Sequence, residues 1–416
     1  MHFLESACFY RASYSLLMIS PSAGRTMRNL LVLTDYPIGY SSGFGETLFN
    51  MLEMYPGEKL WNAHPLHLKA APEKKLGQSC PFNAPMRPAA WPEPLAHFYY
   101  PILKVQQAKA IRQIFKSLSS LIRREGITAL LTCPVNPWLL SVALRLKQDM
   151  PDIKLLLFVM DDWEGHHHCF GLPYTRSRRK TLSNLVDLAS ARFGVSLEMV
   201  ERYGKEFGVG WQVLHNGIAR NGQQNSRLVP TNALRHIRLT GDVNVFRMDA
   251  VLSFARGLEL YNRTAEVPAQ FEISGTISAD CYAQLASLPC VTLLPRTDHA
   301  TCLKAISEAD LLYLPMAFST RVKRIAELSL PTKLPEYLNA GRPIFFHAPE
   351  RSAVYQFAKR WGLQPRLSNS DPKAVCDELH AFTSNRYEHT STQLQAGLDA
   401  EFDIELLRQR LYAALA

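Results

Sequence analysis

Lys333 and Glu336 are the pair of side chains with the clearest chemical meaning in this sequence. They lie in the segment 329–343, where Thr332 can cap a helix whose first turn contains both residues. Residues three apart lie on one face of a helix. A cation beside free amides suits a diphosphate, and a carboxylate one turn further can accept hydrogen bonds from the two hydroxyls of a ribose. The alternative is an exposed ion pair, which would contribute only about 0.3–0.5 kcal/mol.

Two glycines near the start of the chain, Gly43 and Gly45, would let the backbone approach a phosphate. They follow a predicted strand and precede a predicted helix, whose free amides attract anions. The loop contains neither Gly-Lys-Ser/Thr nor GxGxxG, so an ordinary strand-to-helix turn is the alternative. Arg247 follows another strand, which ends at Gly241, and would reach the same diphosphate from the opposite side. The alternative interpretation is that Arg247 is an ordinary surface arginine without a role in binding.

The elements that must position these residues alternate between strands and helices. Segments of helical period separate short apolar runs, which are predicted as strands at 30–34, 129–133, 155–160, 192–196, 212–215, 237–241, 271–275, 291–294, 311–314 and 343–347. Such alternation predicts an α/β fold, with parallel sheets covered by helices on both faces. Because crossovers are right-handed, doubly wound sheets are the expected form.

Ten strands are too many for one compact sheet of this kind, so we predict two domains. The first is expected at 27–218 and the second at 236–395, with an interdomain hinge at 219–235, where Asn, Gly, Gln, Ser and Pro are frequent. Residues 1–26 are predicted to form a disordered extension. The segment 56–101 contains nine prolines and few periodic runs. We interpret it as a long excursion, which either touches substrate or is a structural loop.

The composition fits this two-domain chain, because 47% of its 416 residues are hydrophobic and 20% are charged. The net charge of +9 favours anionic partners. Nucleic acid is disfavoured, since the basic residues are dispersed and no recognised binding motif occurs. The eight scattered cysteines indicate reduced thiols in a cytoplasmic protein. No apolar run reaches the roughly 18–20 residues of a membrane span.

A basic amphipathic segment at 102–124 has two interpretations. It either rests on anionic lipid or turns its apolar stripe towards the core and its basic side towards solvent, and we favour the second.

Together these signals resemble the GT-B glycosyltransferases, in particular the retaining enzymes of glycosyltransferase family 4. The resemblance is strongest between residues 192 and 363 and extends weakly to Leu30. Its most specific part is Pro331-Thr-Lys-Leu-Pro-Glu-Tyr-Leu-Asn-Ala-Gly-Arg-Pro-Ile, which looks like the family's nucleotide-sugar helix. Val213-Leu-His-Asn-Gly-Ile resembles the segment that closes the first domain.

The resemblance implies two Rossmann-like domains that face each other across a cleft, with the acceptor in the first and the donor in the second. Glu336 would bind the ribose, Lys333 and Arg247 the diphosphate, and Gly43 and Gly45 would approach it from across the cleft. It further implies catalysis with retention, without a metal or other cofactor. Residues 396–416 would form a helix that crosses back to the first domain.

For the partners, we expect a UDP- or GDP-sugar donor and a saccharide or lipid-linked acceptor, in polysaccharide or glycoconjugate biosynthesis. The protein would be cytoplasmic, either free or peripheral to the inner face of the membrane. One position departs from the family's pattern. The family commonly has a second glutamate eight residues before the ribose-binding one, and this position is Leu328, with Glu327 displaced by one. The departure puts recognition of the donor sugar in doubt and raises the possibility of a pseudoenzyme.

An acidic loop follows the strand predicted at 155–160, where the family often has a His-Asp pair that contacts the reacting sugar. Asp161 and Asp162 match this position, and one of them would orient the acceptor hydroxyl or take its proton. Alternatively, an aspartate caps the following helix and Trp163 packs beneath it. The consecutive histidines 166–168 also suggest a metal site, but three adjacent histidines cannot all face one ion without distorting the backbone. We favour a solvated loop.

Two functions other than sugar transfer remain open. One is a sugar-nucleotide epimerase of the same fold, and the other is a noncatalytic partner that binds a nucleotide sugar. The segments at 213–218 and 331–336 fit the transferase better.

Overall fold

The computed structural model describes residues 27–84, 93–133, 136–165, 176–219, 234–384 and 391–416. The extension predicted at 1–26 and most of the hinge predicted at 219–235 lie outside the described residues.

The first domain is built on a parallel sheet with the strand order β3-β2-β1-β4-β5-β6-β7. The strands are β1 Leu30–Thr34, β2 Leu60–Pro65, β3 Gln78–Phe82, β4 Ala129–Cys133, β5 Lys154–Val159, β6 Ala191–Gly194 and β7 Gln212–Val213. β2 and β3 correct the interpretation of 56–101 as an irregular excursion. Its prolines are compatible with strands, since Pro65 ends β2 and Pro81 lies in the edge strand β3.

The second domain contains a parallel sheet with the order β10-β9-β8-β11-β12-β13. Its strands are β8 His236–Thr240, β9 Gln270–Ser274, β10 Val291–Leu294, β11 Leu311–Pro315, β12 Ile344–His347 and β13 Arg366–Leu367. In both sheets the strand order reverses beside the first strand, which leaves a crevice beyond the carboxyl ends of the strands. The predicted α/β fold with two doubly wound sheets is confirmed.

Helices connect the strands and cover the sheets. Those of the first half are α1 Gly43–Leu52, α2 Glu93–Arg124, α3 Pro137–Asp149, α4 Arg176–Leu188 and α5 Leu197–Phe207. Those of the second half are α6 Met248–Asn262, α7 Ala279–Ala286, α8 His299–Glu308, α9 Lys323–Leu328, α10 Leu334–Asn339, α11 Ala353–Arg360, α12 Pro372–Thr383, α13 Ser391–Glu401 and α14 Ile404–Leu415.

The basic segment at 102–124 belongs to α2 and turns an apolar stripe inwards. Ala110, Ile114 and Leu118 are buried in the first core, whereas Lys109 and Arg112 are exposed. This packing supports a core-facing stripe with a solvated basic side. Within the described part of the chain, no helix is both long enough and apolar enough to cross a membrane.

Two helices, rather than one, occupy the end of the chain. Leu398 of α13 packs in the second domain, whereas Leu407 and Leu411 of α14 pack in the core of the first. The crossing helix therefore begins at Ile404. The predicted start at residue 396 is wrong, because that residue lies in α13. At the crossing, the amide of Ile218 donates a hydrogen bond to the carbonyl of Phe402 at 3.0 Å, so both interdomain connections run side by side.

Helix α9 of the second domain is anchored in the first domain. Arg324 Nε donates to Asp162 Oδ2 at 2.8 Å, and its terminal nitrogens contact the Glu206 carboxylate at 2.9–3.0 Å. Ser196 Oγ donates to the carbonyl of Leu328 at 2.6 Å. The side chain of Leu328 is buried among first-domain residues. This anchor sets the distance between the two sheets on this side of the molecule.

We predict that Arg324→Met lowers the free energy of unfolding by about 3–5 kcal/mol, because it leaves the fully buried Asp162 carboxylate without its counter-charge. Urea denaturation followed by circular dichroism measures the change. Arg263→Met is the matched control, since among the described residues Arg263 forms only a 3.9 Å ion pair on the surface, and it should cost at most about 1 kcal/mol. Equal losses in both variants would contradict the anchor.

Candidate functional site between the two sheets

A cavity of about 1540 Å³ lies between the carboxyl ends of the two sheets. Its first-domain wall includes residues that follow β1, β2 and β5. Its second-domain wall includes residues that follow β8, β9 and β10, together with the start of α10. Both topological crevices therefore open into one space, in which ligands of such sheets are expected to bind.

Helix α10 is held in the cavity wall by one tyrosine. Its buried face consists of Leu334, Tyr337 and Leu338, together with Pro335. The hydroxyl of Tyr337 accepts a hydrogen bond from the amide of Thr240, at the end of β8, at 2.8 Å. The first turn of α10 is thereby fixed beside the loop that follows β8.

Lys333 and Glu336 lie together at the start of α10, where both line the cavity. Lys333 Nζ is 2.8 Å from Glu336 Oε2, and the two side chains are 25% and 12% exposed. Burial by itself lowers the pKa of Lys333, but the adjacent Glu336 carboxylate outweighs this effect and raises the pKa above its ordinary value. The lysine is therefore a stable cation in a concave, largely buried position, unlike the exposed ion pair that was the alternative.

Arg247 lines the cavity at the start of α6, and its Nη1 donates to the carbonyl of Asp242 at 3.3 Å. Two glycines make room beside it. A Cβ on Gly241, where φ is 123°, would lie 3.0 Å from Arg247 Nη1, and one on Gly275, where φ is 152°, would lie 2.2 Å from the carbonyl oxygen of Gly241. Only glycine fits two strand ends packed this closely. Arg247 and Lys333 thus lie in the same wall of the cavity.

Gly43 and Gly45 line the opposite side, and each has a packing reason to be glycine. A Cβ on Gly43 would meet both γ atoms of Thr332 in the second domain, at 2.9 and 3.0 Å. One on Gly45 would lie 2.3 Å from the carbonyl oxygen of Tyr40 within the same loop. Their approach to a bound diphosphate stays a prediction.

The two aspartates after β5 have different environments. Asp161 lines the cavity and accepts a hydrogen bond from Ser329 Oγ at 3.2 Å. Burial, assisted by the neighbouring Asp162 charge, raises the pKa of Asp161 to about 6, although the Ser329 hydrogen bond opposes the shift. A carboxyl group with this pKa is suited to proton transfer near neutral pH.

The structure corrects the prediction of Asp162 as a candidate catalytic residue, because the side chain of Asp162 is completely buried. Its oxygens accept hydrogen bonds from Gly165 N at 2.6 Å, from Tyr203 Oη at 2.8 Å and from Arg324. Trp163 packs in the first core. The alternative of a capping aspartate above a packed tryptophan therefore describes Asp162, which acts as a structural residue.

Asp35 and Arg296 are two of the charged cavity residues that the sequence analysis did not single out. Asp35 follows β1 and accepts hydrogen bonds from the amide and the side chain of Asn136. It carries the same signal as Asp161, an acid directly after a buried strand. Arg296 follows β10 and donates to Ser41 of the glycine loop, with its Nη2 2.9 Å from the Ser41 carbonyl oxygen. No local pattern predicts this contact between the domains.

Leu328, the position at which the sequence departs from the family that it resembles, does not line the cavity. Leu328 is 4% exposed and packs in the first core. The carboxylate of Glu327 lies 3.9 Å from Lys323, and neither residue lines the cavity. In the described part of the chain, no group of three or more His, Cys, Asp and Glu side chains could hold a metal ion. Residues 166–168 lie outside that part.

The sequence matches no protein-family model and no curated protein. Solved structures do resemble it. The UDP-forming α,α-trehalose-phosphate synthase of Burkholderia xenovorans matches with a TM-score of 0.63 and 11% identity, over 93% of this chain and 99% of that one. WaaG, a glycosyltransferase involved in lipopolysaccharide biosynthesis, matches at 0.58 and 10%, over 93% and 99%. A protein assigned as a UDP-N-acetylglucosamine 2-epimerase of Listeria monocytogenes matches at 0.58 and 9%, over 93% and 95%.

These likenesses show that the chain has the GT-B fold, with two Rossmann-like domains, as the resemblance implied. At identities of about 10% they show the fold alone.

The contact between Gly43 and Thr332 can be tested with a double-mutant cycle. We predict that Gly43→Ala lowers the free energy of unfolding by about 1–3 kcal/mol, because the new methyl group overlaps both γ atoms of Thr332. Thr332→Ala removes these atoms, so the double variant should recover most of the loss in urea denaturation. Additive effects of the two substitutions would show that the domains do not meet here.

Proposed function

We propose that this protein is a glycosyltransferase that transfers a sugar from a nucleoside diphosphate to an acceptor hydroxyl. The observation that carries the proposal is the position of Lys333, Glu336 and Arg247 in one wall of a cavity, opposite the glycine loop of the other domain. The fold shared with known glycosyltransferases supports it.

The second-domain wall would bind the donor. Lys333 and Arg247 would hold the diphosphate, and the Glu336 carboxylate would accept hydrogen bonds from the ribose hydroxyls. During transfer, the bond between the anomeric carbon and the phosphate oxygen breaks and the nucleoside diphosphate leaves with the electron pair. Fixed cations stabilise this growing negative charge most strongly in the transition state.

The first-domain wall would bind the acceptor. Its hydroxyl oxygen bonds to the anomeric carbon, and Asp161 orients that hydroxyl or takes its proton. Likeness to family 4 favours retention of the anomeric configuration. A UDP- or GDP-sugar, a saccharide or lipid-linked acceptor, a metal-free reaction and work at the inner face of the cytoplasmic membrane are parts of the same proposal.

Two alternatives keep a specific observation in their favour. A sugar-nucleotide epimerase is favoured by the structural likeness to the Listeria protein. A noncatalytic sugar-nucleotide-binding partner is favoured by Leu328, because the resembling family commonly has a second glutamate at this position. Only the transferase releases nucleoside diphosphate in response to an added acceptor, so this release separates the three functions.

Donor binding can be tested with a thermal-shift panel of uridine, guanosine and adenosine diphosphate sugars. We predict that one nucleotide class stabilises the parent, by about 2.7 kcal/mol at one hundred times its dissociation constant. Lys333→Ala and Glu336→Ala should each lose most of this stabilisation, because the diphosphate loses a cation and the ribose an acceptor.

Lys304→Ala is the matched control for the panel. Lys304 lies on the neighbouring helix α8, is 73% exposed and forms only a 3.9 Å pair with Glu308 among the ion pairs described. It should retain the full stabilisation. A nucleotide response that survives in both site variants would contradict the donor site.

The role of Asp161 predicts a pH dependence. Because the pKa of Asp161 is raised to about 6 and the base must be ionised, kcat/KM should rise with pH through about 6. It should be about tenfold below its plateau one pH unit lower. Initial rates of nucleoside diphosphate release measure the profile. Asp161→Asn should be slow without this inflection, and an unchanged inflection in the variant would assign it to another group.

A further inference from the structure

One buried histidine in the cavity wall differs from the others. His215 follows β7, lines the cavity and is 4% exposed. Its ring forms no hydrogen bond with any described residue, and Nδ1 is fully enclosed. The other two buried histidines among the described residues, His64 and His347, each form hydrogen bonds through both ring nitrogens. Because buried polar groups in proteins are nearly always paired, the unpaired ring of His215 requires an explanation.

The surroundings of His215 fix the position of its ring. The ring packs edge-on against Phe402, with the two planes at 84° and the ring centres 4.3 Å apart. The next residue, Asn216, donates a hydrogen bond from Nδ2 to the carbonyl of Thr332 at 3.1 Å. The imidazole therefore lies in the cavity wall beside the segment 329–333. Since Nδ1 is enclosed, Nε2 is the ring nitrogen that a molecule in the cavity can reach.

The imidazole of His215 is neutral. Burial, together with the charges of Arg410 and Arg360, lowers the pKa of His215 to about 3. A neutral ring carries one N–H group, and buried N–H groups without an acceptor are rare. The proton therefore belongs on Nε2 rather than on the enclosed Nδ1. His215 thus offers one uncharged hydrogen-bond donor to a molecule in the cavity.

The segment 329–333 relates this donor to the proposed reaction. Ser329 Oγ donates to Asp161, which would approach the acceptor hydroxyl, and the segment ends at Lys333, which would hold the leaving diphosphate. The transferred sugar has to lie between these two groups, because its anomeric carbon exchanges the phosphate oxygen for the acceptor oxygen. His215 borders the same segment. A hydroxyl oxygen of the sugar can accept a hydrogen bond from its N–H group.

We propose that His215 binds the transferred sugar by donating a hydrogen bond from Nε2 to one of its hydroxyl oxygens. This inference rests on the proposed function, because it takes the bound donor to be a sugar nucleotide. It adds a sugar-binding residue in the first domain, opposite the wall that binds the nucleotide. The free protein keeps an unpaired polar ring in the cavity wall, and the ligand supplies the partner.

Calorimetric titration of the full chain can compare nucleoside diphosphates with their sugar nucleotides. The probes are UDP with UDP-glucose, UDP-galactose and UDP-N-acetylglucosamine, GDP with GDP-mannose, and ADP with ADP-glucose. His215→Leu removes the N–H group, so the sugar nucleotide that the parent binds most tightly should bind at least about fivefold more weakly. Affinity for the nucleoside diphosphate of the same base should change less than about twofold. An equal change for both ligands, or no change for the sugar nucleotide, overturns the inference.

Two further substitutions identify the ring nitrogen that makes the contact. Glutamine places an amide N–H group near the position of Nε2, whereas asparagine places one near Nδ1. His215→Gln should therefore retain the affinity for the sugar nucleotide to within about threefold, and His215→Asn should lose as much as His215→Leu. A tighter complex with His215→Asn than with His215→Gln contradicts donation from Nε2.

Stability distinguishes a binding residue from a structural one. Because the ring of His215 has no hydrogen bond to lose, His215→Leu should leave the urea midpoint of unfolding unchanged or raise it. His64→Leu is the matched control, since His64 is 6% exposed, is bonded through both nitrogens and does not line the cavity. It should lower the midpoint and keep the affinity for the sugar nucleotide. A midpoint that falls as far in His215→Leu as in His64→Leu would show a structural role and contradict the proposal.

The nucleotide titrations separate this proposal from the proposed function. If no nucleoside diphosphate binds the parent, the proposed function fails and the sugar contact falls with it. If a nucleoside diphosphate binds, but His215→Leu weakens it as much as its sugar nucleotide, only the sugar contact fails. A parent that binds a nucleoside diphosphate but no sugar nucleotide of the set also overturns the sugar contact.

Discussion

The segment 323–337 is held by both domains, and the geometry of the cavity depends on it. Arg324 and Leu328 attach its first half to the first domain, whereas Tyr337 attaches its second half to β8 of the second. Between these anchors, Thr332 lies against Gly43, and its carbonyl accepts a hydrogen bond from Asn216 at 3.1 Å. Lys333 therefore lies at a fixed place between the domains. In the proposed transfer, a cation held in this way would stabilise the leaving phosphate without reorganising during the reaction.

The same segment explains why an apolar side chain fits at position 328. At position 328 the side chain points into an apolar first-domain core, where an ionised glutamate would be strongly disfavoured. In the proposed function, the donor sugar would be recognised by other groups, and Asn339 is a neutral hydrogen-bonding side chain among the described cavity residues. Leucine at position 328 is therefore compatible with the proposed donor binding through the diphosphate and ribose.

Much of the fold was predictable because buried parallel strands are short apolar runs bounded by turn residues. β1, β4 and β5 have this pattern, and their alternation with helices predicted two doubly wound sheets. β2 was missed because Asn62, His64 and Pro65 interrupt its apolar run, although all six of its residues are buried. The two-residue strand β13 was missed because it is too short for any periodicity, whereas the equally short β7 lies within the run predicted at 212–215.

The candidate site was predictable where one local segment carries the chemistry, as with Lys333 and Glu336, which the structure places in one cavity. It was not predictable where the environment decides the role. Asp161 and Asp162 are adjacent acids in the sequence, but alternate side chains at a strand end point in different directions. One consequently faces the cavity, and the other meets Arg324 from another domain. Arg324, 162 residues away along the chain, leaves no signal near Asp162.

A crystal structure of the protein with the nucleoside diphosphate of its donor would test the proposed donor site. We predict phosphate density within hydrogen-bond distance of Lys333 and Arg247, and the ribose hydroxyls against the Glu336 carboxylate. Density at the first-domain wall, or at any surface outside the cavity between the sheets, would contradict it.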